Sequence, residues 1–174
     1  MINVIFKDFS MSFYEKIWSL KNTWFGLKLR ELGDYIQIAC PAFFLVWCAC
    51  FGTNELSRVF IVTFLLAMGI YLLLNGLFNN IRPSEDETNK EAPAMDFDWS
   101  PNEGNSFPSG HTMAAVCGGV FWFEISFTMG CIGLFLGLIT GASRVIAKKH
   151  WLRDVLTSTF ISIGLYCLAT FYFV

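Results

Sequence analysis

Apolar residues run along this chain in long blocks, and the polar residues between them collect in a few short stretches. Tyr35–Gly52 is uncharged, and Val59–Phe78 is a second apolar block entered by Arg58. Each is close to the ~20 helical residues needed to cross a hydrocarbon core of ~30 Å. From Thr112 to Ser143 the only charge is Glu124. One helix of that length would run roughly 50 Å, so the block is expected to fold back as two spans with a turn over Ser126–Gly130. Leu152–Val174 makes a further span, with Arg153 and Asp154 at its polar end. The pattern therefore predicts an all-α fold, a polytopic membrane bundle of about five transmembrane helices.

Residues 1–34 are mixed rather than apolar. Phe13, Ile17, Leu20, Trp24 and Leu27 recur at steps of four and three, which is one helical face. Lys7, Lys16, Lys21, Lys28 and Arg30 take other positions. An aromatic-rich amphipathic helix of this kind is expected to lie in the membrane interface, with packing onto the bundle as the alternative, and Gly33-Asp34 is expected to end it. No short apolar core with a small-residue cleavage site is read near the N-terminus, so no signal peptide is expected. The chain then divides into an interfacial segment, 1–34, and a transmembrane catalytic domain, 35–174, with 79–108 as a loop on the active face.

Composition agrees with a membrane protein. Hydrophobic residues make up 55%, mean hydropathy is +0.52 and charged residues are only 15%, against ~25% in a soluble domain. The net charge of −2 says little, because the charges are segregated. Half of the 14 acids fall between 84 and 103: Glu85, Asp86, Glu87, Glu91, Asp96, Asp98 and Glu103. Cys40, Cys48, Cys50, Cys117, Cys131 and Cys167 lie in apolar runs and read as small hydrophobes rather than as disulfides or zinc ligands. Nucleic acid is not an expected partner, and the oligomeric state is left open.

The span count has a consequence for the polar stretches. Asn79-Asn80-Ile81-Arg82-Pro83 closes the second span, Pro108-Ser109-Gly110-His111 opens the third, and Ser143 to Asp154 joins the fourth to the fifth. All three come to one membrane face, together with the N-terminal segment. The chain has only two histidines, and both lie in these clusters. His150 and Asp154 are four apart and share a helical face. A carboxylate on one imidazole nitrogen fixes the tautomer and leaves the other nitrogen to attack. Arg144 suits forked binding of phosphate oxygens. Ser109 is a plausible N-cap, the helix start behind it can bind an anion, Gly110 lets that anion approach, and His111 stands beside it as an acid. Pro83 holds Arg82 at the surface. Lys148 and Lys149 read first as an ordinary basic loop. The set is one for phosphoryl transfer without need of a metal: arginines neutralise the oxygens, one histidine attacks and the other protonates the leaving oxygen.

These motifs resemble those of the type 2 phosphatidic acid phosphatase superfamily, whose signature is Lys-x6-Arg-Pro, Pro-Ser-Gly-His and Ser-Arg-x5-His-x3-Asp. The second and third are present in full, as Pro108 to His111 and as Ser143-Arg144, His150 and Asp154. The resemblance covers about residues 59–174. It implies that His150 is the nucleophile and forms a phosphohistidine, that Asp154 orients it, and that His111 is the general acid and then activates water. Arg82, Ser109, Gly110 and Arg144 would hold the phosphate, and no metal or cofactor is implied. The family lysine falls on Asn75, which carries no charge; Lys148 and Lys149 are candidates to compensate. Small bacterial members act on lipid A 1-phosphate, phosphatidylglycerophosphate, phosphatidic acid or undecaprenyl diphosphate. The expected function is hydrolysis of a lipid phosphate or diphosphate in a bacterial inner membrane, with the site facing the periplasm. The alternatives are a lipid phosphotransferase and a catalytically impaired lipid-binding protein. Vanadium haloperoxidases share the phosphate-site pattern, but a five-span chain argues against their chemistry.

Overall fold

The computed structural model describes residues 13–78, 80, 82–83 and 105–173. The acidic stretch 84–103 lies outside them, as do residues 1–12 with Lys7. Five α-helices follow a helical segment at 13–18: α1 (Trp24–Phe51), α2 (Asn54–Leu77), α3 (Gly110–Val120), α4 (Phe127–Ile146) and α5 (Leu152–Phe173). Hydroxyl caps begin four of them, Ser109 at the start of α3 among them. Thr23 accepts from Gly26 N, Thr53 from Leu56 N and Ser126 from Met129 N, each satisfying a donor that the helix itself leaves orphaned.

α1, α2, α4 and α5 are long and apolar enough to cross a membrane. Their outer faces carry large exposed apolar side chains, such as Leu65, Phe135, Phe160 and Phe171. That much apolar surface on a soluble protein would be a liability; here it is the face offered to lipid. The chain is an integral membrane bundle.

The block from Thr112 to Ser143 does fold back, and Ser126, the first residue of the expected turn, is the α4 cap. The two halves are unequal. α3 has 11 residues and continues as a four-residue 3₁₀ turn, Phe121–Glu124, roughly 25 Å in all. It is short because it is central: Thr112, Met113 and every residue from Ala115 to Val120 are buried. A helix sheathed by protein need not match the hydrocarbon thickness. Small residues let the sheath close. A methyl group on Gly119 would lie 2.3 Å from the Gly133 carbonyl oxygen, so only glycines let α3 and α4 meet backbone to backbone. At the far end from the polar clusters, Phe44, Phe60, Phe121 and Trp122 form an aromatic core between α1, α2 and the 3₁₀ turn, and the Trp122 indole donates to the Cys40 carbonyl at 3.1 Å.

The N-terminal third departs from expectation. Gly33-Asp34 does not end a helix, because α1 runs unbroken from Trp24 to Phe51. The break comes earlier, at residues 19–23. An interior glycine costs a helix about 1 kcal/mol; here Gly33 allows α1 to lie against Ser143 of α4, where a methyl group would be 2.1 Å from the Ser143 hydroxyl. The turn also interrupts the stripe Phe13, Ile17, Leu20, Trp24, Leu27, of which Phe13, Leu20, Trp24 and Leu27 are exposed. The inward residues are Tyr14 and Trp18, which pack with Val145, Trp151 and Val155. Segment 13–18 is therefore fastened to the loop between α4 and α5. Trp18 Nε1 donates to the Val145 carbonyl at 3.2 Å, and Leu152 N donates to the Tyr14 hydroxyl at 3.0 Å.

Candidate active site

The three polar clusters meet at one end of the bundle, where α2 ends, α3 begins and α4 turns into α5. A short strand of chain, Asn105 to Pro108, links them. Asn105 is buried, and all of its side-chain bonding capacity is used. Its Oδ1 accepts from Asn80 N and Phe107 N, both at 3.1 Å. Its Nδ2 donates to the carbonyls of Asn75 and Phe78 at the end of α2. Ser106 N donates to the Asn80 carbonyl at 2.8 Å, and Arg82 Nε donates to the Asn105 carbonyl at 3.1 Å. Arg82 is thereby held buried beside this strand.

The strand positions His150. Nδ1 of His150 lies 2.6 Å from the Ser106 carbonyl oxygen. A carbonyl can only accept, so Nδ1 carries the hydrogen and Nε2 carries the lone pair. Asp154 does not make this bond: its Oδ2 is 3.9 Å from Nδ1, beyond hydrogen-bonding distance. The hydrogen bond from Nδ1 is thus made to a backbone carbonyl, with the Asp154 carboxylate, the expected orienting group, standing behind it. Fully buried Asp154 instead accepts from Trp151 N at 2.8 Å and lies 3.5 Å from Arg153 Nε. Its Oδ1 and the nearby buried Ser106 hydroxyl form no well-aligned hydrogen bond. Burial pushes the His150 imidazole down to about 3; the Ser106 carbonyl opposes that shift, and the charges of Arg82, His111 and Arg144 add to it. His150 is neutral at physiological pH with Nε2 unprotonated, the form a nucleophile needs.

Ser109 caps α3. Its fully buried hydroxyl lies 2.8 Å from the Thr112 hydroxyl and accepts from Thr112 N at 3.5 Å. Gly110 opens the helix against Tyr71, whose ring a methyl group would meet at 3.0 Å. His111 follows in the first turn, partly exposed.

Arg144 is buried in the last turn of α4. Nε donates to the Ser143 hydroxyl at 3.2 Å, Nη2 to the Arg30 carbonyl at 3.1 Å, and Nη1 pairs with Asp34 Oδ1 at 2.8 Å. The same Asp34 oxygen lies 3.5 Å from His111 Nε2. Asp34, expected only as part of a helix stop, is therefore a member of the site. Asp34 is the last charged residue before the uncharged run Tyr35–Gly52, and an acidic side chain at that edge of a span is the signal that could have found it. Asn105 and Ser106 carry no comparable signal, since one works through packing of its amide and the other through a backbone atom.

Asn75, at the family lysine's place, is buried, and its Nδ2 donates to the Phe107 carbonyl at 3.3 Å. Lys148 adopts a left-handed backbone (φ 60°), with its ammonium 4.6 Å from the centre of the Trp18 ring. Burial lowers its basicity. Lys149 is part-buried, and its backbone N donates to the Arg144 carbonyl at 3.0 Å. Among the described residues no group of three or more His, Cys, Asp or Glu is disposed to hold a metal ion.

The sequence profile of the PAP2 superfamily matches residues 56–174. Among solved structures, the crystal structure of Aquifex aeolicus LpxE superposes with a TM-score of 0.73 at 18% identity, covering 93% of this chain and 94% of that one. At that identity the likeness is one of fold. No curated protein sequence matches the chain.

Proposed function

This chain belongs to the PAP2 superfamily, and from that membership and the geometry of its site we propose that it is a membrane lipid-phosphate phosphatase working through a phosphohistidine. The observation that carries the reading is the Ser106 carbonyl on Nδ1 of a neutral His150, which leaves Nε2 as a preset nucleophile. Nε2 attacks phosphorus, the ester P–O bond breaks, and His111 gives its proton to the leaving oxygen. His111 then takes a proton from water, whose oxygen displaces His150 and releases inorganic phosphate. Arg82, Arg144, the Ser109 hydroxyl and the backbone amide of Gly110 hold the non-bridging oxygens, on which charge is carried through the transition state. No step calls on a metal.

The substrate's tail stays among the lipid-facing helices while its phosphate reaches the polar end of the bundle. In a bacterial inner membrane we place that end on the periplasmic side. Labelling of a cysteine introduced at the polar end, from outside intact cells, checks the orientation.

His150→Ala tests the chemistry. Purified in detergent and assayed for phosphate release across lipid phosphates and diphosphates, it is expected to lose at least ~10³-fold in kcat. Release that survives the substitution overturns the nucleophile assignment, and release abolished by a chelator overturns the metal-free route.

A further inference from the structure

Among the described residues Asp34 is the one acidic side chain in contact with both Arg144 and His111, and none of the three motifs includes it. α1 delivers it on purpose-built geometry. Gly33 brings the helix against Ser143, and the next residue then reaches Arg144. Arg144 is buried and fixed on three sides by Ser143, Arg30 and Asp34, so the carboxylate is held by a rigid partner. Its Oδ1 faces Nε2 of His111 at 3.5 Å, a charge contact that is longer than a hydrogen bond, as catalytic contacts often are before substrate binds.

Resting on the phosphatase reading above, we propose that Asp34 is a positioning residue for the general acid: anchored by Arg144, it holds His111 at Nε2 and stabilises the charged ring, leaving Nδ1–H for the departing oxygen. The two histidines are then held at opposite ring nitrogens, His150 through Nδ1 by a carbonyl and His111 through Nε2 by a carboxylate. A carbonyl partner suits a neutral nucleophile and a carboxylate suits a cationic acid. In the step itself the P–O bond breaks, the Nδ1 proton passes to the leaving oxygen and Asp34 remains ionised.

The test uses two substrates with the same long alkyl tail, one an alkyl phosphate and one a nitrophenyl phosphate. Nitrophenolate leaves without help from an acid; an alkoxide does not. Asp34→Asn is expected to lower kcat on the alkyl phosphate about 10- to 100-fold, within the range of general acid catalysis, and to change kcat on the nitrophenyl phosphate less than about threefold. The ratio of the two kcat values is the readout, because any shared change in phosphate binding through Arg144 cancels in it. Asp34→Glu, which keeps the charge, is expected to recover part of the alkyl-phosphate rate, and it supplies the same ratio should Asp34→Asn fail to accumulate. Equal losses on both substrates would make Asp34 merely structural and overturn the proposal. So would unchanged alkyl-phosphate turnover, or a higher kcat with a lower KM on both, the mark of an internal anion competing with phosphate. The parent reading is judged apart from this: nitrophenyl phosphate turnover that survives His150→Ala removes the nucleophile whatever Asp34→Asn does.

Discussion

Replacing Asn105 by alanine removes a side chain that makes no contact with substrate in the proposed chemistry yet holds the site together. Four backbone groups lose their partner: the amides of Asn80 and Phe107 and the carbonyls of Asn75 and Phe78. Phe78 and Asn80 are partly exposed, so water can replace the amide there. Phe107, within the strand, is partly exposed as well, so of the four residues only Asn75 is buried. Counting the Asn75 carbonyl alone as uncompensated gives a loss of about 1–3 kcal/mol. For a chain of this size that is roughly 2–12 °C in Tm, read by thermal unfolding in detergent. Activity should fall further than stability alone requires, because the next residue, Ser106, sets the His150 tautomer. At a temperature where the variant is fully folded, kcat is expected to drop about tenfold or more. Asn105→Asp sharpens the argument. It has the same shape and still accepts from both amides, but it turns a carboxylate oxygen toward two carbonyls and is expected to be at least as damaging. A Tm for Asn105→Ala within about 1 °C of the parent together with an unchanged kcat, or full stability in Asn105→Asp, would refute the account.

Two other perturbations have clear signs. Gly33→Ala puts a methyl group 2.1 Å from the Ser143 hydroxyl, so either α1 retreats or Ser143 rotates and releases Arg144. An overpacking cost of about 1–3 kcal/mol and a raised KM for lipid phosphate are expected, and wild-type KM and Tm would show that the close approach is unimportant. His150 gives a pH dependence. Buried, it stays neutral down to about pH 3, whereas the unfolded chain takes up the proton near pH ~6.5. Between those values the unfolded state binds more protons, so stability present above pH ~6.5 is lost as pH falls towards 3. At pH 5 the loss from this one group is on the order of 2 kcal/mol. Unfolding measured at pH 7 and pH 5 in the parent and in His150→Gln should show a smaller pH effect in the variant; equal effects would mean that His150 is not buried neutral.

What could be read from the sequence divides along physical lines. Arg82, Ser109, Gly110, His111, Arg144, His150 and Asp154 stood out because each cluster is local, set by a few residues at a helix end, and because hydropathy alone fixes which ends share a face. The structure brings them to one end of the bundle. The departures are contacts that no local pattern encodes. His150 is held by the Ser106 carbonyl, 44 residues away in sequence, and a backbone atom leaves no compositional trace. Asp34 was masked by a sound local rule, since Gly followed by Asp usually stops a helix. Here the tertiary approach of α1 to α4 offsets the local cost and carries the helix through. The aromatic stripe at 13–27 is interrupted for a similar reason: helical periodicity identifies a face but not its partner, and the turn at 19–23 redirects the chain so that Tyr14 and Trp18 face inward.

Asn75 and Asp34 together change the electrostatics of the site in one direction. Position 75 is committed to supporting the strand through the Phe107 carbonyl and contributes no charge, while Asp34 adds a negative one. Two buried guanidiniums, Arg82 and Arg144, therefore stand beside two carboxylates, Asp34 and Asp154, with Arg153 approaching Asp154 from the exposed side. With both histidines neutral these four groups, of which Asp34 is part-exposed, sum to no net positive charge to attract a phosphate. Binding must then come from directed donors, the guanidinium forks and the amides at the start of α3, and from a proton on His111. His150 cannot supply that charge, because burial and the neighbouring cations keep it neutral. The burden falls on the histidine that Asp34 faces. On the proposed mechanism one proton then serves twice, first balancing the bound phosphate and then passing to the leaving oxygen, so substrate binding and leaving-group protonation are coupled through His111.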